Sequence, residues 1–116
     1  MKTSSPGKSN SLTAVYAALA DPTRRELLEL LLTQEQSITA LAKHFPVSRV
    51  AVSKHLVVLE EAGLVQERKV GREHRYQLNP VPLRGAYDWL ARYEQFWDEK
   101  LAHLKAYVED KEDIQE

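Results

Sequence analysis

The stretch VSRVAVSKHLVVLEEAGLVQERKVGREHRYQL, Val47 to Leu78, decides the fold of this chain. Ser48 is a good helix N-cap, and Val52, Leu56 and Leu59 follow at i, i+4 and i+7, so Arg49 to Ala62 reads as an amphipathic helix. Gly63 is a natural left-handed stop. Leu64 to Val70 and Glu73 to Leu78 then alternate loosely on either side of Gly71-Arg72, as in a β-hairpin. A helix followed by a charged hairpin suits a DNA duplex: the helix fits the major groove and the hairpin reaches neighbouring phosphates.

Working outward, Phe45-Pro46-Val47 is the turn before this helix, because proline disfavours the helical region for the residue preceding it. Ser37 caps a short helix from Ile38 to His44, so the two form a helix-turn-helix. Further upstream, Asp21-Pro22 starts a leucine-rich helix from Pro22 to Leu32 that should be deeply buried, and Thr33 to Gln36 is a polar connection. Leu12, Val15, Tyr16 and Leu19 share one face of a first helix. Downstream of Asn79-Pro80, Pro82 to about Lys111 reads as one long helix. The expected fold is mainly α with a small β-hairpin wing, in the order four helices, two strands, one helix. Residues 1–10 and 113–116 are expected to be disordered tails around one domain at 11–112.

Three groups of residues carry the functional reading. On the helix, the face opposite the apolar stripe bears Val50, Ser53, Lys54 and Val57, with Ser48 and Arg49 at its start and Glu60-Glu61 at its far end. That gradient suits entry into a groove by the N-terminus, and His55 beside the stripe is a capping or phosphate-contact candidate. In the hairpin, Arg68, Lys69, Arg72, His74 and Arg75 crowd positive charge that an anion would relieve, so a phosphate-binding wing and a charged sheet edge are the two readings. Tyr76 and Leu78 point to the core. In the last helix Leu83, Tyr87, Leu90, Tyr93, Trp97, Leu101 and Leu104 make an apolar stripe, flanked by Trp89 and Phe96. Such a width implies packing on two sides, with Leu12, Val15, Tyr16 and Leu19 completing a dimer interface, unless the stripe serves the core alone. A two-fold dimer would read a near-palindromic duplex.

Composition narrows the rest. The 116 residues carry a formal charge of −1. Yet Pro22 to Leu78 holds nine Lys and Arg against seven Asp and Glu, while Val81 to Glu116 holds five against nine. Phosphate contacts are local, so a weakly acidic chain with one basic face can still bind DNA. There is no cysteine, which excludes disulfides, thiolate metal sites and thiol redox sensing. His44, His55, His74 and His103 never stand at i, i+3 or i+4 to one another, so no metal site or cofactor is expected. No phosphate loop or nucleophile motif appears, which argues against an enzyme. No apolar run could span a bilayer and the N-terminus is no secretory signal, so a cytoplasmic protein is expected.

The segments ALADPTRRELLELLL, ITALAKHFPVSRVAVSKHLVVLEEAGLV and ERKVGREHRYQLNP resemble the ArsR/SmtB family of winged-helix repressors, over about residues 12–110. The resemblance implies a homodimer built from the first and last helices, with DNA read by the fourth helix and the wing. By position it assigns Ser48, Arg49, Ser53, Lys54 and His55 to the groove-facing segment and Arg72 to the wing tip. Metal-sensing members carry cysteines in the third helix, where this chain has Ile38-Thr39-Ala40-Leu41. Others use Asp/His sets in the last helix, a spacing not met here. The aromatic last helix is similar to a metal-independent subgroup, often autoregulatory. The alternatives are a protein-interaction module and a small-molecule-responsive regulator, each using the aromatic helix.

Overall fold

A computed structural model describes residues 8–114 of the chain. The elements are α1 (Lys8–Leu19), α2 (Pro22–Leu30), β1 (Gln36–Ser37), α3 (Ile38–Ala42), α4 (Arg49–Glu61), β2 (Val65–Val70), β3 (Glu73–Leu78), α5 (Val81–Ala91) and α6 (Glu94–Ile114). They divide into two compact units, one ending at Ala86 and the other beginning at Tyr87.

In the first unit α4 is the hub, packing against α1, α2, α3 and β2. The reason is its stripe: Val52, Leu56 and Leu59 have no solvent exposure, and Leu27, Leu41, Leu64, Val15 and Ala18 close around them in one apolar cluster. Short-range chemistry fixes both ends of α4. The Ser48 hydroxyl accepts from the Ala51 N–H at 3.1 Å. At the other end Gly63 adopts φ +78°, its N–H reaches the Glu60 carbonyl and the Leu64 N–H reaches the Leu59 carbonyl, both at 2.9 Å. That is a Schellman closure, which needs a residue free of Cβ strain.

The same logic starts the other helices. Asp21 caps α2 by accepting from the Arg24 N–H at 3.1 Å, and Ser37 caps α3 by accepting from the Ala40 N–H at 3.1 Å. Arg24 also reaches back to the Ala18 and Ala17 carbonyls at 2.7 and 3.0 Å, placing a cation at the negative end of α1. Asn79 closes the wing. Its N–H donates to the Leu64 carbonyl at 2.8 Å, its side chain donates to the Gly63 carbonyl at 2.9 Å, and its Oδ1 accepts from the Val81 N–H at 3.3 Å.

Several expectations need correction. Gln36, expected in the polar connection, instead forms the strand β1 with the helix cap Ser37. This strand pairs antiparallel with β3, giving a three-stranded sheet in the order β1-β3-β2 with Gln36 opposite Tyr76. Residues 8–10 belong to α1 and residues 113–114 to α6, so the described parts of both expected tails are helical, while 1–7 and 115–116 lie outside the described residues. α2 ends at Leu30 and α3 at Ala42, earlier than the pattern implies. Leu32, just past the end of α2, is 67% exposed, because the chain turns out of the core before reaching it.

The second unit contains the largest departure. The expected single last helix is two. Arg92 and Tyr93 make tight i→i+3 bonds to the Trp89 and Leu90 carbonyls at 3.3 and 3.0 Å, and the α-helical pattern resumes with the Trp97 N–H on the Tyr93 carbonyl at 3.1 Å. No glycine or proline stands at the break. The Trp89 and Tyr93 rings pack across it at 5.2 Å, and Glu94 supplies a carboxylate to the first turn of α6.

Two leucines of opposite exposure give a direct check of this packing. Leu56→Ala should lower unfolding free energy by about 2–5 kcal/mol, while Leu32→Ala should stay within about 0.5 kcal/mol, measured by urea denaturation.

Candidate nucleic-acid interface

With its apolar stripe turned inward, α4 presents the opposite face to solvent. Val50 is 65% and Val57 48% exposed, Arg49 and Lys54 are exposed, and Ser53 is half-buried between them. Thirteen residues at 1.5 Å each make a rod about 20 Å long, a fit to the major groove. Its positive end lies at Arg49, where the N-terminal amide dipoles favour an anion. The Ser48 hydroxyl already serves as the helix cap. His55 does not share this face. Its Nδ1 lies 3.3 Å from the Arg24 guanidinium and 3.8 Å from the Asp21 carboxylate. Arginine cannot accept a hydrogen bond, so this contact uses Nδ1 as the acceptor. His55 therefore ties α4 to the start of α2, a role the sequence reading did not assign.

The wing is a six-by-six hairpin. Val70 opposes Glu73, leaving Gly71-Arg72 as a two-residue turn. Only Gly71 takes a positive φ, +62°, which is the type II′ pattern that matches strand twist. Tyr76 is buried and Leu78 half-buried, as expected from the alternation. Burial, and then the nearby Glu67 carboxylate, push the Tyr76 phenol above its ordinary pKa.

The register sets Arg68 directly across from Arg75. Two like charges in that position repel. Glu35, from the connection before β1, resolves the conflict. Its carboxylate accepts from Arg68 at 2.6 and 2.7 Å and lies 3.5 Å from the Arg75 Nε, while its backbone carbonyl accepts from Arg75 at 3.3 Å. Arg75 also bonds Glu73 at 3.0 Å, and His74 pairs with Glu67. Thus three of the five wing cations are paired within the protein. Lys69 and Arg72, like Arg49 and Lys54 of α4, make no ion pair with any described residue. Glu35 and Glu67 were not singled out from sequence. Glu35 lies 33 and 40 positions before its arginine partners, beyond the reach of any local pattern.

Between α4 and the wing lies a cleft of about 330 Å³ lined by Ile38, Arg49, Val50, Ser53, Glu67, His74 and Tyr76. The fold thus gathers Arg49, Val50, Ser53 and His74 around one depression. Val15, by contrast, is 1% exposed within the core, so it offers no surface to a second subunit, whereas Leu12, Tyr16, Leu19 and Leu83 are half-buried. Tyr87, Leu90, Tyr93, Trp97, Leu101 and Leu104 of the second unit are all exposed, between 47% and 62%. No group of three or more His, Cys, Asp or Glu among the described residues could hold a metal ion, and no helix among them is long and apolar enough to cross a membrane.

A helix-turn-helix with a two-stranded wing defines a winged-helix DNA-binding transcriptional regulator rather than an enzyme. The chain belongs to the ArsR family: the family described as bacterial regulatory protein, arsR family, matches residues 21–67. The HTH-type transcriptional regulator Rv2034 of Mycobacterium tuberculosis is 39% identical over 98 residues, 84% of this chain and 89% of that protein. The transcriptional repressor SdpR of Bacillus subtilis is 32% identical over 79 residues, 68% of this chain and 88% of that one. Among solved structures, the homodimeric winged helix-turn-helix DNA-binding domain of a possible ArsR-family regulator from Mycobacterium bovis superposes with a TM-score of 0.61 at 26% identity, covering 83% and 94% of the two chains.

The Arg68 hydrogen bonds hold the Glu35 carboxyl below its ordinary value of 4.5. A depressed carboxyl stabilises the fold at pH above its unfolded value and loses that contribution as pH falls through the folded one. Wing amide shifts at Arg68 and Arg75 should therefore report a Glu35 titration with its midpoint below 4.5. An NMR titration with its midpoint at or above 4.5 would show that the pair does not form.

Proposed function

We propose that this regulator is a homodimeric repressor of a near-palindromic operator, released from DNA without a metal inducer. One observation carries the reading: burial of Val52, Leu56 and Leu59 leaves Arg49, Val50, Ser53 and Lys54 facing outward beside the wing. In this reading the serine and lysine meet base edges, Val50 meets a thymine methyl, and Lys69 and Arg72 lie against phosphates. Ser48 contributes by aiming the helix. Arg68, His74 and Arg75 reach phosphate only by sharing or exchanging their carboxylate partners. His55 supports the helix from behind.

Dimerisation is supported by the exposed apolar side chains from Tyr87 to Val108, a surface larger than a lone chain usually leaves in water. The homodimeric relative from Mycobacterium bovis supports the same assembly. The absence of cysteine supports independence from thiolate-bound metals. A regulator of chromosomal DNA works in the cytoplasm. The domain, in this reading, takes in the helices from Lys8 to Ile114.

Sedimentation should give twice the 13.3 kDa chain mass, and sequencing of genomic fragments retained by the purified protein should return an inverted repeat. A 13.3 kDa species that ignores every duplex at low salt would instead favour a protein-interaction module. Within the DNA-binding reading, Arg72→Ala should lower the salt slope of binding by about one, and Arg68→Ala by clearly less, because Glu35 already neutralises Arg68. Lys54→Ala or Ser53→Ala should cost about 1–3 kcal/mol on the operator and far less on random DNA, read by fluorescence anisotropy.

A further inference from the structure

We propose that the bend between α5 and α6 is a binding site for an apolar organic cation, a quaternary or bulky ammonium group carrying a hydrocarbon body. The break at Arg92–Tyr93 opens a cavity of about 550 Å³, lined chiefly by Tyr87, Trp89, Leu90, Tyr93, Trp97 and the carboxylates of Glu94 and Asp98. Its volume lies within the range of about 300–1,000 Å³ usual for small-molecule sites.

The chemistry of the lining selects the ligand. Indole and phenol rings offer a negative face to a cation, and tryptophan does so best. This helix already uses that attraction: Lys100 sits 5.5 Å over the Phe96 ring, and Lys111 sits 5.0 Å over the Tyr107 ring. Both lysines lie outside the cavity, and no lysine or arginine lines it. Glu94 and Asp98 make no ion pair with any described residue. They stand four apart on one helical face, where like charges repel. Glu94 has a local purpose at the start of α6, but Asp98, a turn further on, does not. A cation seated between the rings relieves the repulsion. A second subunit covering this face would take water from the two carboxylates and raise their demand for positive charge. A neutral or anionic ligand satisfies the rings or neither, and leaves the carboxylates as they were.

Trp89 and Trp97 are the only tryptophans in the chain and both line the cavity, so selectively excited tryptophan emission reports on it. The full chain, without DNA, is titrated with benzyltrimethylammonium and with the neutral N,N-dimethylbenzamide of similar size. The cation should quench saturably at concentrations about tenfold below the amide. The double substitution E94Q/D98N should weaken cation binding about fivefold and leave amide binding unchanged. Equal affinity for the two probes, no saturable quenching by the cation, or a cation affinity untouched by E94Q/D98N would each overturn the proposal. The lining overlaps the face proposed for the second subunit, but the titration contains no DNA, so failure of the DNA-binding reading leaves the site standing and failure of the site leaves DNA binding standing.

Discussion

Burial of Val52, Leu56 and Leu59 at zero exposure is the constraint on which the first unit depends. Three methyl-rich side chains on one stripe fix the rotation of α4 about its own axis. A turn of one residue, 100°, would carry Ser53 and Glu60, or Ala51 and His55, toward the core and lift the stripe toward water. Burying a glutamate or an imidazole and exposing a leucine both cost free energy, so the outward set of side chains follows from the inward one. The helices around α4 serve as its seat, and Ser48 and Gly63 set where it starts and stops.

A second constraint operates in the wing. Its hairpin register forces Arg68 and Arg75 together, and one carboxylate, Glu35, holds both. The short strand β1 is what carries Glu35 to that position, since Gln36 and Ser37 pair with Tyr76 and Arg75. The wing is thereby fastened to the body instead of hanging from its two strand ends. Its charges divide into those that hold the hairpin in place and those, at Lys69 and Arg72, that remain available.

Much of this was legible in the sequence because its causes are local. Caps at Asp21, Ser37 and Ser48, the stop at Gly63, the turn at Gly71 and the stripe of α4 all act within a few residues, and all appear as read. The parts that were not legible arise over longer distances or lack a residue signal. Glu35 meets arginines 33 and 40 positions away. β1 is two residues with no strand preference of its own, recruited by the edge of β3. The break at Arg92–Tyr93 has neither glycine nor proline to announce it, and the heptad of large apolar residues continues through it unbroken. His55 reads as a capping or phosphate-contact residue until the fold brings Arg24 and Asp21 beside it. Val15 shares a helical face with Leu12 and Leu19, yet the core takes it fully.

Asn79 joins three places: the exit of the wing, the Gly63–Leu64 corner just after α4 and the first residue of α5. Fifteen residues of hairpin leave Gly63 and return to the same point, so the loop is closed by one amide side chain. This makes the segment a clasp. A displacement of the first turn of α5 must either carry the Gly63–Leu64 corner with it or break the hydrogen bonds that Asn79 holds there.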